Sequence, residues 1–247
     1  IAQPDVAVIT TIEAVHLEFF DGVCAIAEAK AEIFAGLSDN GVAVLNRDNA
    51  YFALLATTAA EQGAKRILGF GASPEADARL SAHEFDDDGS DVTAEVDGHT
   101  VHYRLNAPGR HRVINSLAVL AAVAGLEANL DAAAAALGDV AIPRGRGRRH
   151  QVDTAAGEYV VIDDSYNASP ASMRAAFDVL GDAHPEGTGR RIAVLGDMLE
   201  LGAEAEQLHA GLARNLETIG ANQVFTCGEL LAALPAALPK QLRGAPP

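Results

Sequence analysis

Short apolar runs alternate with longer stretches of helical period along this chain. Residues 5–10 (DVAVIT) read as a buried strand and residues 22–37 as a helix. Val42–Asn46 reads as a strand, residues 49–62 as a helix and residues 66–70 as a strand. Strands that alternate with helices of this length predict parallel βαβ units. The polar stretch EFDDDGSD comes next, and then VTAEVDGHTVHYRL, whose Asp-Gly between two alternating runs predicts a hairpin. Residues 113–124 and Leu130–Leu137 read as alanine-rich helices. IPRGRGRRHQ then breaks the pattern with a proline, two glycines and four arginines, which predicts a domain boundary near Ile142 and a hinge over residues 142–149. Beyond it the alternation resumes, with strands at 159–162, 191–195 and 223–226 and helices at 172–180 and 203–219. The proline-rich tail ALPAALPKQLRGAPP is expected to fray.

The predicted fold is therefore α/β in two domains, residues 1–141 and 142–247. A hydrophobic content of 49% with only 5% aromatics and no Trp requires an aliphatic, alanine-rich core. A formal net charge of -16 argues against a nucleic-acid or anionic-membrane binder. No run approaches the ~18 apolar residues of a membrane span, so no membrane insertion is expected. Cys24 and Cys227 form no disulfide framework. These features predict a cytoplasmic protein. Ile1 leads almost directly into a strand, so the chain is expected to start inside a larger protein, and the second domain is expected to lack further strands.

Five strings carry candidate chemistry. In HLEFFDGVCAIAEAKAEIF a helical wheel places Lys30 among Ile26, Ile33, Phe34 and Leu37, with Glu28 and Glu32 pointing away. The wheel allows two readings: a lysine that snorkels at the core edge, or an amine whose pKa is lowered by desolvation. His16 falls just after a predicted strand end, where α/β sites gather. In PGRHRVINSLAVLAAV a Pro-Gly turn opens a helix that carries Asn115, whose amide can both donate to and accept from a base edge. Arg144, Arg146, Arg148 and Arg149 are either a local anion site or a flexible linker. In VVIDDSYNASPASMRAAF an apolar strand ends in two aspartates and a turn, and Ser169-Pro170 opens the next helix. RIAVLGDMLELGAEAEQLH repeats the design, with Asp197 at a strand end, then Glu200 and His209.

These strings, in this order, resemble the Mur ligases, and DDSYNASP with LGDMLELG resembles their D-alanyl-D-alanine-adding branch. The resemblance implies the later part of a central ATPase domain followed by a Rossmann-like C-terminal domain. It implies ATP and Mg²⁺ as cofactors, with Lys30 as a carbamate and His16 as catalytic metal ligands. Oxygen from a carbamate suits Mg²⁺. It implies nucleotide contacts from Asn115, Arg149 (or Arg148) and Asp164, and contacts to the acceptor or reacting centre from Tyr166, Asn167 and Asp197. Arg112 departs from the family pattern, which has asparagine there. The implied partners are UDP-MurNAc-tripeptide and D-alanyl-D-alanine, met by a monomer. The family's GxxGKT phosphate loop does not occur in this sequence, so the 247-residue chain alone is expected not to ligate. The alternatives are another amino-acid-adding ligase of the superfamily, such as a folylpolyglutamate synthase, or a non-catalytic piece.

Overall fold

The computed structural model describes residues 3–155 and 157–244. The chain divides into two compact units. The first comprises the residues up to 13 together with 21–141, and the second comprises 14–20 together with the residues from 142 onward. The sequence pattern draws the first domain as an unbroken 1–141, so residues 14–20 are a correction. Their contacts explain it. The Glu18 N–H donates to the Glu200 carbonyl at 3.3 Å, and the His16 side chain pairs with that of Glu200. Both partners lie in the second unit.

The first unit is built on a six-stranded mixed sheet in the order β1 (Val6–Ile9), β2 (Val42–Asn46), β3 (Arg66–Gly71), β4 (Ala78–Phe85), β5 (Ser90–Val96), β6 (His99–Leu105). The first four strands run parallel, and β5 and β6 join as an antiparallel hairpin. Its turn is the expected Asp97-Gly98, with both residues at positive φ. Alternation along β2 turns Val42 and Val44 toward helix α3 (Arg110–Gly125), where they join Val113, Leu117 and Leu120 in one core. Ala43 and Leu45 are fully buried on the opposite face of β2, the strand against which α2 (Phe52–Glu61) packs. Helix α4 (Leu130–Leu137) lies against β6. Asn129 caps its N-terminus by accepting from the Ala132 N–H at 2.9 Å.

Helix α1 spans Val23–Ala31 and passes into a 3₁₀ turn over Glu32–Gly36, so the expected single helix over 22–37 is corrected. The tighter turn rotates the residues after Ala31 relative to the wheel. Phe34 is fully buried while Ile33 is 44% exposed. Lys30 sits in the last turn of α1 and is exposed. There its long stem reaches water and its charge faces the negative end of the helix. Its exposure matches the snorkelling reading of the wheel.

The second unit holds an antiparallel hairpin, β7 (Arg148–Thr154) with β8 (Gly157–Asp163), and a parallel pair, β9 (Ile192–Gly196) with β10 (Gln223–Cys227). Helix α5 (Pro170–Asp182) starts at the expected Ser169-Pro170, where Ser169 and Ser172 form a reciprocal capping box. Helix α6 (Ala205–Thr218) packs Leu212, Ala213 and Leu216 into the core beside Phe177, Ala193 and Leu195.

The tail does not fray within the described residues. A 3₁₀ turn over Leu230–Ala233, helix α7 (Leu234–Ala237) and a second 3₁₀ turn over Lys240–Leu242 fold it back. Leu231, Leu234, Leu238 and Leu242 are all buried. Their spacing of three and four residues is helical, and the intervening prolines mask it in the sequence. The last part of the proline-rich string, residues 245–247, lies outside the described residues.

Candidate functional site

The loop after β8 is the best-built feature of the second unit. Asp163, the last residue of the strand, accepts from the Ser165 hydroxyl at 2.6 Å and the Ser165 N–H at 3.2 Å on one oxygen. Its other oxygen accepts from the Gly145 N–H at 3.2 Å. These bonds, the Ser165 hydroxyl above all, hold its pKa below the ordinary carboxylate value. Gly147 N–H donates to the Asp163 carbonyl at 2.7 Å, and Tyr166 N–H donates to the Gly145 carbonyl at 3.1 Å. The arginine-rich turn and the post-β8 loop are thus laced together. Gly145 is required at its position: φ is +69°, and a Cβ there would lie 2.9 Å from that of Tyr166. Gly145 and Gly147, both at positive φ, serve a tight turn within the second unit.

The clasp leaves specific groups presented. Asp164 is exposed. Tyr166 is 71% exposed and carries the Arg146 guanidinium 4.2 Å above its ring centroid. Asn167 is exposed, and its side-chain oxygen accepts from the Ala168 N–H at 2.9 Å. Arg149 lies on β7 opposite Ile162 and is half-buried. The hairpin thus gathers Arg149, Asp164, Tyr166 and Asn167 around the carboxyl end of β8.

Asp197 and His209 are occupied differently. Asp197, just after β9, accepts from the Leu231 N–H at 2.9 Å and the Leu230 N–H at 3.3 Å. Its carboxylate thereby caps the 3₁₀ turn that starts the folded tail. His209 is fully buried. Its Nδ1–H donates to the Ala205 carbonyl at 2.6 Å and its Nε2 accepts from the Met198 N–H at 2.9 Å. With both nitrogens committed to backbone, this imidazole fixes the turn after β9.

In the first unit, Asn115 is exposed on the second turn of α3. The N-cap Gly109 offers no side-chain bond and has φ +119°. Arg110, His111 and Arg112 occupy the first turn, at the positive end of the helix. Burial, helped by the Arg112 charge, pushes the His111 pKa down to about 4. Tyr103 donates to or accepts from Ser116 at 2.6 Å behind this turn, and burial raises its pKa to about 12.

Sequence reasoning left two contributors without roles. Asp163 is hidden beside Asp164 in a doublet that offers no rule for choosing between them. Arg146 stands out only as one of four arginines until its ring partner is known. Among the described residues, no group of three or more His, Cys, Asp or Glu is gathered as a metal ion requires.

Comparison with known proteins gives this arrangement a family. The Mur ligase middle domain model matches residues 1–123, and the Mur ligase glutamate ligase domain model matches residues 147–246. The chain belongs to the Mur ligase family. Within it, the UDP-N-acetylmuramoyl-tripeptide–D-alanyl-D-alanine ligase of Escherichia coli is 34% identical over 233 residues, which is 93% of this chain and 49% of that protein. The Bacillus subtilis enzyme of the same name is 32% identical over 93% of this chain and 47% of its own length. A crystal structure of MurF from Acinetobacter baumannii superposes with a TM-score of 0.86 at 28% identity, over 98% of this chain and 50% of that one. The chain thus spans about half the length of the curated relatives it matches. No helix of the described residues is long and apolar enough to cross a membrane.

Proposed function

We propose that this chain works in the ATP-dependent ligation of D-alanyl-D-alanine to UDP-MurNAc-tripeptide, as a monomer in the cytoplasm. ATP phosphorylates the terminal carboxylate of the tripeptide. The amine of D-alanyl-D-alanine then attacks the acyl phosphate, an amide bond forms and inorganic phosphate leaves. In this reading Asn115, Arg149 and Asp164 seat the nucleotide, and Tyr166 and Asn167 meet the acceptor. The observation that carries it is the laced loop at the carboxyl end of β8: Asp163 is fixed by Ser165 and Gly145, while Asp164, Tyr166 and Asn167 are presented. The names of the relatives supply the substrates.

Magnesium is the cofactor these residues support least. His16 pairs with Glu200, Lys30 is exposed on α1, and no three-ligand group accompanies either among the described residues. The side chains described do not by themselves make a magnesium site, and no step is assigned to one. ATP is a better match, because exposed polar and cationic groups stand at a strand's carboxyl end.

The test is backbone amide NMR on the ¹⁵N-labelled chain, titrated separately with ATP and with D-alanyl-D-alanine. ATP is expected to shift the amides around Asn115, Arg149 and Asp164. The dipeptide is expected to shift those of Tyr166 and Asn167. Affinities near 1 mM, about -4 kcal/mol, suffice for detection. Silence at all five positions with several millimolar of either ligand would remove the reading from this chain.

A further inference from the structure

Glu200 and His16 lie 184 residues apart and meet side chain to side chain. Each sits at one end of a stiff local arrangement. Glu200 belongs to the turn after β9, whose Met198 and Leu201 are buried and whose Met198 N–H is held by His209. That turn is rigid, so Glu200 is presented from a fixed base. His16 belongs to the strap of residues 14–20, where its carbonyl accepts from the Phe19 N–H at 2.9 Å. The strap runs alongside the same turn: Glu18 N–H donates to the Glu200 carbonyl at 3.3 Å. A Cβ on Gly202 would stand 3.5 Å from the Glu18 Cα.

Both members of the pair have left-handed backbone, with φ 55° at His16 and 61° at Glu200. For residues with a Cβ this conformation is uncommon. Strain of this kind persists only where surrounding contacts over-determine it. Here both strained residues belong to one contact, which indicates that the contact holds them.

Glu200 Oε2 faces His16 Nδ1. A carboxylate oxygen in that place is satisfied by a hydrogen on Nδ1, the tautomer that leaves the lone pair of the neutral ring on Nε2. We infer that Glu200 is the positioning residue for His16: it accepts the hydrogen bond from Nδ1–H, sets the imidazole tautomer, and pins the strap to the turn after β9. The pairing matches the general way a carboxylate orients a functional imidazole through its far nitrogen. The inference does not depend on the ligase reading, and a chain that binds no nucleotide would leave it standing.

The experiment is long-range ¹H–¹⁵N NMR of the histidine side chains in the 247-residue chain at neutral pH, without nucleotide or metal. Loss of one signal set in His16→Asn assigns His16, and Asn tolerates the left-handed backbone. The wild type is expected to show the Nδ1–H tautomer. Glu200→Gln keeps an acceptor oxygen and is expected to retain it. Glu200→Gly relieves the backbone strain but removes the carboxylate; His16 should then move to the Nε2–H form, with the Glu18 amide exchanging about tenfold faster. If Glu200 served only to shape its turn, glycine would leave the imidazole signals unchanged. That result, or an Nε2–H tautomer in the wild type, would overturn the inference.

Discussion

In β2 every residue from Val42 to Leu45 is buried, whereas in β8 every residue from Gly157 to Val161 is exposed. Both strands are built from β-branched and other apolar residues, so composition does not separate them. Their surroundings do. Strand β2 has a neighbour on each edge and a helix against it on each face, and its side chains are held by the core. Strand β8 pairs with β7 alone, and Tyr159, Val160 and Val161 are 40–51% exposed. What fixes β8 is the lacing at its end, where Asp163, Gly145, Gly147 and Tyr166 exchange hydrogen bonds. The first arrangement derives its stability from area removed from water. The second derives local order from a few directional bonds, and so can offer its end to a ligand.

The comparison breaks most visibly in the core. Leu117 is fully buried between α3 and the sheet. Leu117→Ala is expected to cost about 2–5 kcal/mol, read from urea unfolding of the first unit. Val160→Ala, on the half-exposed hairpin, is expected to stay within about 0.5 kcal/mol. Equal losses at the two positions would show that β8 is covered in solution and that the contrast is false.

His111 comes next, as a titrating group in the first turn of the helix that carries Leu117. Its folded pKa is about 4 against an ordinary 6.5, chiefly through burial. The unfolded chain therefore binds the proton more readily. Stability from this group is fully present above about pH 6.5 and is lost as pH falls toward 4. The range is up to about 3 kcal/mol at 1.36 kcal/mol per pKa unit. His111→Gln should flatten the stability–pH curve between those limits, and an unchanged slope would place His111 in water.

Gly145→Ala attacks the other side of the comparison. The new Cβ meets Tyr166 and the backbone keeps φ +69°. A loss of about 1–3 kcal/mol in local hairpin stability is expected, seen as faster hydrogen exchange of the β7 and β8 amides with α3 unaffected. If the hairpin amides exchanged no faster, the lacing would not be what fixes β8.

The sequence reveals the first arrangement better than the second. Val42–Asn46 and Leu130–Leu137 coincide with their expected bounds, because a buried run or an apolar stripe is a local signal. Strand β4 was hidden in a polar stretch: a bulge between Leu80 and Ala82 breaks its alternation. Strand β7 was hidden too, since four of its first five residues, Arg148 to Gln151, are polar on both faces. The site strings were legible as strings, including Ser169-Pro170 and the aspartate doublet. Which partner each side chain takes was not. The Glu200–His16 pair and the Asp197 cap on Leu231 join residues far apart in sequence, and no local periodicity encodes such meetings.

The smallest expected effect tests the lacing directly, through acid. Asp163 has a folded pKa below the ordinary 3.8, held there first by the Ser165 hydroxyl and then by the Ser165 and Gly145 amides. A depressed carboxylate contributes stability above its unfolded pKa and loses it as pH falls through the folded value. The lacing should therefore survive at pH 5 and loosen below about pH 3.8, the unfolded carboxylate value. Because the group is solvent-accessible, the effect is local and modest, and global unfolding is a poor monitor. Amide chemical shifts of Ser165 and Gly145 report it well, since both N–H groups bond to this carboxylate. They should titrate together, with a midpoint below that of an exposed aspartate. Asp163→Asn keeps the shape and one acceptor but removes the charge, so both shifts should lose their acid transition. Ser165→Ala should move the midpoint upward, because the first cause of the depression is gone. If Asp164→Asn abolished the transition and Asp163→Asn did not, the fixed and the presented aspartate would be exchanged. The presented carboxylate at the carboxyl end of β8 would then be Asp163.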